Sequence, residues 1–370
     1  MTGACLGMDF GSRGAKIIVA SGNAARTTLH HATVIPLGSG YERSLRQWVR
    51  EHGLQGVKTV MSIPADKATL RWVMLPNVEG DERREAARFK VKRHLPYPVE
   101  EAYIEAVAPD SDQEGVAASL VIAVRREEIA RRAEAAVSAG LMPVAAELDA
   151  QGILRVVERR LSERSRVWRN ASLTVLDIGA DRTQMVVVQN QELQFLRSVR
   201  FGVRQLTDAA AAALDISPDE AEARLSQPGS GLRADGRLIL DSPDIAAIVD
   251  VSPVLERLTR ECLRLLRYFR SLHPERSYAG ILDHMVLSGG AAGLRGLAEF
   301  LSDFLKLRVE PVRPFAGLAA SIDGEAFRQL ALSQEAYTVA LGLALSGLDR
   351  AVAAKKEGEG ERQYLWQRGA

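Results

Sequence analysis

The chain has 370 residues, 46% hydrophobic and 26% charged, with 48 Lys and Arg against 47 Asp and Glu. That length suits two lobes better than one domain, and the composition is globular rather than disordered. A net charge of +1 leaves no bulk field to favour nucleic acid or anionic lipid as a partner.

The two cysteines, Cys5 and Cys262, lie far apart and outside any metal-ligand spacing, which reads as a reducing compartment. Nowhere do about 18 apolar residues run uninterrupted, and Met1 to Met8 lacks the basic start and long apolar stretch of a signal peptide. The expectation is a cytoplasmic protein that reaches a membrane only through a partner, without inserting into it.

In chain order, Cys5 to Asp9 and Ala15 to Ala20 read as two strands joined by a Gly-containing turn. Thr59 to Ile63 and Thr69 to Leu75 are further strands, each stopped by a proline. Asp81 to Leu95 has helical spacing and ends at Pro96-Tyr97-Pro98. Strands at Ala102 to Val107 and Ala118 to Val124, a helix at Glu127 to Ala139 and a strand at Met142 to Leu148 follow. With the helix before them, these predict a compact inserted module over residues 81–150. Gln151 to Arg169 reads as a helix with a solvated basic face that includes Arg155 and Arg160.

The second half opens with strands at Leu173 to Asp177 and Gln184 to Gln189, then helices at Val203 to Ala213 and Pro218 to Leu225. Gln227 to Gly236 reads as a loop. The helix Pro253 to Ser271 carries Leu255, Leu258, Cys262, Leu265 and Phe269 on one stripe and a row of arginines opposite it. A short strand at Met285 to Leu287 and helices at Gly296 to Leu305 and Tyr337 to Leu345 complete the pattern, before a charged tail expected to be mobile. His30, His31 and Trp72 read as strand or loop surface.

The feature that decides the fold class is a repeat. Met8-Asp-Phe-Gly-Ser-Arg-Gly-Ala-Lys16 aligns with Leu176-Asp-Ile-Gly-Ala-Asp-Arg-Thr-Gln184. Two copies of strand, Asp-apolar-Gly-small, turn and strand predict two similar lobes, each opening with a hairpin. Gly11 and Gly179 would let backbone N–H groups approach an anion, forming phosphate nests. Asp9 and Asp177, at their strand ends, would hold a hydrated Mg²⁺, and Lys16 would add a point charge for phosphates. A third element, Val286-Leu-Ser-Gly289-Gly290, would let backbone lie flat against a ligand such as a purine ring.

In this order, Asp9-Phe-Gly-Ser12 with Lys16, Asp177-Ile-Gly-Ala180 and Leu287-Ser-Gly-Gly290 resemble the phosphate-1, phosphate-2 and adenosine motifs of actin-like ATPases. Ser62-Ile-Pro64, Leu95-Pro-Tyr-Pro98-Val-Glu-Glu101, Ala139-Gly-Leu-Met-Pro-Val-Ala145, Arg267-Tyr-Phe269 and Ala340-Leu-Gly-Leu-Ala-Leu345 are similar more narrowly to the PilM family. The resemblance runs from about residue 5 to 345.

It implies an α/β, two-lobed actin-like fold of duplicated ribonuclease-H-like domains with an FtsA/PilM-type 1C module. The implied division is subdomain 1A at 1–80 resuming at 151–170, 1C at 81–150, 2A at 171–205 and 278–350, 2B at 206–277, and a tail at 351–370. ATP with Mg²⁺ would sit between the lobes.

By the same resemblance Gly11, Ser12, Arg13, Lys16, Gly179, Ala180 and Thr183 would cradle phosphates, Gly289 and Gly290 the adenosine, and Glu222 the ribose hydroxyls. The family has a Lys three residues after that Glu; this chain has Leu225, beside Arg224. Asp149 falls where the family has an acidic residue between the lobes. It reads both as a helix cap and as a group orienting the attacking water, with Asp177 as the second catalytic candidate. Turnover is expected far below the ~1–100 s⁻¹ of kinases, because no Gln or Glu is evident to aim the water.

The implied partner is the cytoplasmic peptide of a PilN-like inner-membrane protein, with Pro96 and Tyr97 forming an apolar corner to receive it. Self-association is a further possibility. An FtsA-like tether would want an amphipathic terminal helix, which the tail supplies poorly; a small-molecule kinase would want a catalytic base that is not apparent.

Overall fold

The computed structural model describes residues 3–23, 26–78, 80–107, 115–164, 173–189, 192–242, 246–272 and 284–357. Its first half runs β1 (Ala4–Phe10), β2 (Gly14–Gly22), β3 (Thr27–Pro36), α1 (Tyr41–Glu51), β4 (Lys58–Ile63), β5 (Ala68–Pro76), α2 (Gly80–Val91), β6 (Ala102–Val107), β7 (Val116–Arg125), α3 (Arg126–Ser138), β8 (Met142–Leu148) and α4 (Asp149–Arg164). The second half runs β9 (Leu173–Ile178), β10 (Thr183–Gln189), β11 (Glu192–Val199), α5 (Arg204–Leu214), α6 (Pro218–Leu225), β12 (Gly231–Leu232), β13 (Arg237–Leu240), β14 (Ala247–Asp250), α7 (Ser252–Leu272), β15 (His284–Ser288), α8 (Leu297–Leu305), β16 (Arg308–Pro311), β17 (Ala319–Ala320), α9 (Gly324–Ala331) and α10 (Thr338–Glu357).

The repeat in the sequence is a repeat in topology. One large sheet has the order β17-β3-β2-β1-β4-β8 and the other β11-β10-β9-β15-β16. In each, an antiparallel meander of three strands is followed by parallel strands on the far side of the first.

Both sheets are buried on two faces, so their strands read as apolar runs in which alternate residues enter different cores. Leu176, Ile178, Met185 and Val187 face a core shared with α5, α7 and α8, whereas Val175, Val186 and Val188 face α4 and α10. Cys5, Ile18 and Ala20 of the first sheet meet the same α4–α10 layer from the other side, and Leu6, Met8, Ile17 and Val19 pack under α1 and α3. At roughly 1.5–3 kcal/mol for each fully buried large apolar side chain, this common layer joins the lobes into one unit.

Glycine makes the close packing of that layer possible. A Cβ on Gly7 of β1 would lie 1.9 Å from the Ala340 carbonyl oxygen of α10, and one on Gly342 would lie 1.9 Å from that of Gly152 in α4. The small-residue run of α10 therefore seats a helix directly on sheet and helix backbone.

Strand pairing draws the inserted module differently from the expected 81–150 unit. The three-stranded sheet is β5-β7-β6, so it recruits β5, which precedes residue 81. β8, inside that range, joins the first large sheet parallel to β4. The residue patterns fit the exchange: β8, although at the edge of that sheet, is buried almost throughout, whereas β5 is buried only at Leu75. α2 covers one face of the small sheet through Ala87 and Val91.

Two further expectations change. Arg155 bonds Glu147 at 3.1 Å and the Gly342 carbonyl at 2.9 Å, and Arg160 bonds the Ala316 carbonyl at 3.1 Å. These arginines pin α4 to its neighbours instead of forming a solvated face; Arg166 and Arg169 lie outside the described residues. Helix α10 continues to Glu357, within the expected tail, and 358–370 lie outside the described residues.

The arginine row on α7 is exposed as expected, opposite its buried apolar stripe. His30 bridges Ser21 and Ser321 at 2.6 and 2.7 Å, and Trp72 is exposed. Among the described residues no helix is long and apolar enough to cross a membrane.

Candidate functional site: two facing hairpins

The first hairpin places Asp9 directly across from Lys16 in the β1–β2 register. Lys16 Nζ lies 3.4 Å from Asp9 Oδ2, and Ser62 Oγ, at the end of β4, donates to Asp9 Oδ1 at 3.0 Å. Ser62 also accepts from the Phe10 N–H at 2.9 Å, so parallel pairing of β4 with β1 fixes the aspartate. The Gly11 N–H donates to Asp9 O and Gly14 O at 3.2 and 3.1 Å. That donor closes its own turn and is not presented to an anion as the nest reading expected. A Cβ at Gly11 would stand 3.0 Å from Lys16 Nζ, so glycine leaves room for the lysine to lie over the turn.

The second hairpin repeats the geometry. Asp177 is directly opposite Gln184, whose Nε2 donates to Asp177 Oδ2 at 3.2 Å. The Gly179 N–H is again internal, bonded to Arg182 O at 2.9 Å. The carbonyls of Gly179 and Ala180 accept from the Val203 and Arg204 N–H groups at 2.9 Å each, which seats the start of α5 on the turn. Thr183 is fully buried and its hydroxyl donates to Phe201 O at 2.8 Å. Its expected phosphate contact gives way to a fold contact, because alternation turns this residue away from the cleft.

Gly289, at φ +88°, sits so tightly that a Cβ would lie 2.5 Å from Ile178 O and 2.9 Å from Asp177 Oδ1. Its conformational freedom serves the approach of β15 to the second hairpin. Gly290 has no atom within 4 Å of its ideal Cβ and is the open member of the pair.

The turns meet side chain to side chain. Arg13 pairs with Glu222 of α6 across the lobes, and Ser12 bonds Asp181, which Arg204 also grips, one of its bonds at 3.1 Å. Glu222 therefore holds an arginine where a ribose contact was expected, and Arg224 pairs with Glu220 at 2.6 Å instead of compensating for Leu225.

Arg182, which the motif reading passed over, spans from the second turn to Asp66 and Asp149 of the first half. Asp149 Oδ1 accepts from the Ala65 and Ala150 N–H groups at 3.2 and 2.8 Å. The capping expectation thus appears as an anchor between α4 and the turn Ala65–Lys67.

The electrostatics of this cluster are strained toward negative charge. Burial pushes the Asp149 carboxyl up to about 7, with Asp177 and Asp9 adding to the rise and Arg182 opposing it. Asp177 is also raised, first by burial, with the Gln184 bond opposing. Carboxylates that resist ionisation beside one another favour an added cation. Among the described residues no three His, Cys, Asp or Glu side chains converge to ligate a metal alone. That donor set fits a Mg²⁺ held through water by one or two carboxylates and completed by phosphate oxygens.

At the other candidate surface Pro96 is exposed and Tyr97 half-buried under Arg125, whose guanidinium stands 4.5 Å from the ring centroid. The Tyr97 hydroxyl is enclosed and has no hydrogen-bond partner among the described residues.

Two lobes of one strand order, each presenting an acid-ended hairpin to the other, define an actin-like ATPase fold. Residues 7–348 match the family described as type IV pilus assembly protein PilM, and the chain belongs to that family. It is similar to a chain in the structure of a PilM-PilN type IV pilus biogenesis complex, at 28% identity and TM-score 0.74, covering 93% of this chain and 98% of that one. It also shares its fold with MreB5 of Spiroplasma citri bound to ADP, at 12% identity and TM-score 0.53, covering 97% of this chain and 99% of that one.

Proposed function

We propose that the chain is the nucleotide-binding, actin-like component of a type IV pilus assembly platform, on the cytoplasmic side of the inner membrane. In this reading it holds ATP and Mg²⁺ between its lobes and grips the cytoplasmic N-terminal peptide of a PilN-like membrane protein. The observation that carries it is the twin hairpin: Asp9 and Asp177 stand in equivalent registers, near enough that the charge of Asp9 acts on the Asp177 carboxyl. Similarity to a chain of a PilM-PilN type IV pilus biogenesis complex supports the partner.

Asp9 and Asp177 would hold the hydrated metal, which supplies positive charge against the phosphates. Lys16 adds a point charge, and Ser62 keeps Asp9 aimed by donating to its other oxygen. Glu222 can take ribose hydroxyls only once Arg13 lets go of it. Asp149 is bound to Arg182 and two backbone N–H groups, so it is poorly free to orient water, and turnover far below ~1–100 s⁻¹ is the expectation. The half-buried Tyr97 with its unpaired hydroxyl, beside exposed Pro96, is the proposed peptide contact.

Cell fractionation with and without the PilN-like protein tests this. The chain should sediment with membranes only when that protein is present, and Tyr97→Ala should release it. Membrane association in the partner's absence overturns the reading.

A further inference from the structure

We infer that Arg182 is the residue by which this cleft distinguishes a nucleoside triphosphate from a diphosphate, its guanidinium leaving Asp66 for the terminal phosphate. The inference rests on the nucleotide reading above and deepens it.

Position is the first ground. Arg182 belongs to the turn between Gly179 and Thr183, where the two hairpins touch through Ser12 and Asp181. It is the side chain that passes from the second hairpin into the acidic cluster of the first half, and Asp149, Asp66, Asp177 and Asp9 all act on its charge. An anion arriving here meets cations already engaged: Lys16 on Asp9, Arg13 on Glu222 and Arg204 on Asp181. Arg182 alone of these divides its fork between two carboxylates, and a planar fork is the geometry that fits phosphate oxygens bidentately.

The second ground is that the two partners are unequal. Asp149 is 2% exposed and has two backbone N–H donors of its own, so it stays solvated by protein whatever Arg182 does. The Asp66 side chain is 47% exposed, and water replaces the guanidinium there at small cost. One arm of the fork is thus structural and the other exchangeable. The exchange has a direct outlet, because Asp66 lies in the turn Ala65–Lys67 immediately before β5, the first strand of the three-stranded sheet. Lys67, in the same turn, reaches Glu128 of α3 at 4.0 Å. A terminal phosphate would therefore be felt where the small sheet leaves the first lobe.

Calorimetric affinities for Mg-ATP and Mg-ADP test the inference on wild type, Arg182→Ala, Arg182→Lys and Asp66→Asn. Arg182→Ala should weaken Mg-ATP on the order of ten- to hundredfold while Mg-ADP stays within about threefold. Arg182→Lys, which keeps charge but loses the fork, should fall between. Asp66→Asn should strengthen Mg-ATP by up to about fivefold, because the competing carboxylate is gone. That gain is one a merely structural salt bridge does not give, and it keeps the test decisive if Arg182→Ala fails to fold. An ATP-to-ADP ratio unchanged in Asp66→Asn and in the folded Arg182 variants overturns the inference and leaves the nucleotide reading standing. Wild type that binds neither nucleotide overturns both.

Discussion

In the first hairpin Asp9 faces a lysine, and in the second, at the same cross-strand position, Asp177 faces a glutamine. Duplication preserved the register that sets a residue seven places on against the acid, yet the charge moved. The first copy keeps its cation on the strand, over a partly open turn. The second puts a neutral amide beside its acid and moves the cation to Arg182 in the turn, from which it crosses to the first half of the chain. The two turns share a backbone and differ in charge, and on the proposed reading this gives them different work: Lys16 would meet phosphates, whereas Gln184 supports the fold.

That contrast breaks most readily at its centre. Lys16→Met should weaken Mg-ATP binding by about 2 kcal/mol with little change in melting temperature. Gln184→Met should do the reverse, destabilising the protein by about 1–3 kcal/mol while affinity holds within about threefold. Equal effects of the two substitutions on affinity would erase the distinction.

Acid should act where Arg182 of the second turn meets the first half. The Asp149 carboxyl, raised to about 7 in the folded protein against ~3.9 unfolded, is protonated more in the native state across that interval. Its ionisation therefore destabilises the fold as pH rises from 4 through 7. The unfolding free energy of wild type minus that of Asp149→Asn should grow, on the order of 2 kcal/mol, as pH is lowered from 8 to 5. A constant difference in urea melts contradicts this.

Thr183→Val should cost about 1–2 kcal/mol of stability through the lost bond to Phe201 O and leave nucleotide affinity alone. A large affinity loss would return Thr183 to the phosphates. The smallest effect belongs to Arg13→Gln: freeing Glu222 from a partly exposed pair should strengthen Mg-ATP by at most about fivefold in the same calorimetry, and a loss of affinity would instead make Arg13 a phosphate ligand.

The hairpins were legible because Asp-x-Gly turns and two-residue alternation are local, and they appear twice. Strand partnership was not: β5 and β8 differ from their neighbours only in how many faces are buried, which is decided by elements far away in the chain. Thr183 was misplaced because motif position says nothing about which way a side chain turns after the bend, whereas the pairing of Thr183 with Ile178 settles it. Arg182 carried a signal that could have been used. In the aligned repeat it stands opposite Gly14, a long cation in a tight turn where the first copy needs no side chain.

The most direct test is calorimetric titration of Mg-ATP into wild type and Asp9→Ala, with circular dichroism to confirm the fold. Wild type should bind with Mg²⁺ and lose most of its affinity when the metal is chelated, and Asp9→Ala should not bind while melting normally. Unchanged affinity in a folded Asp9→Ala protein would contradict the assignment of the facing hairpins as a metal–nucleotide site.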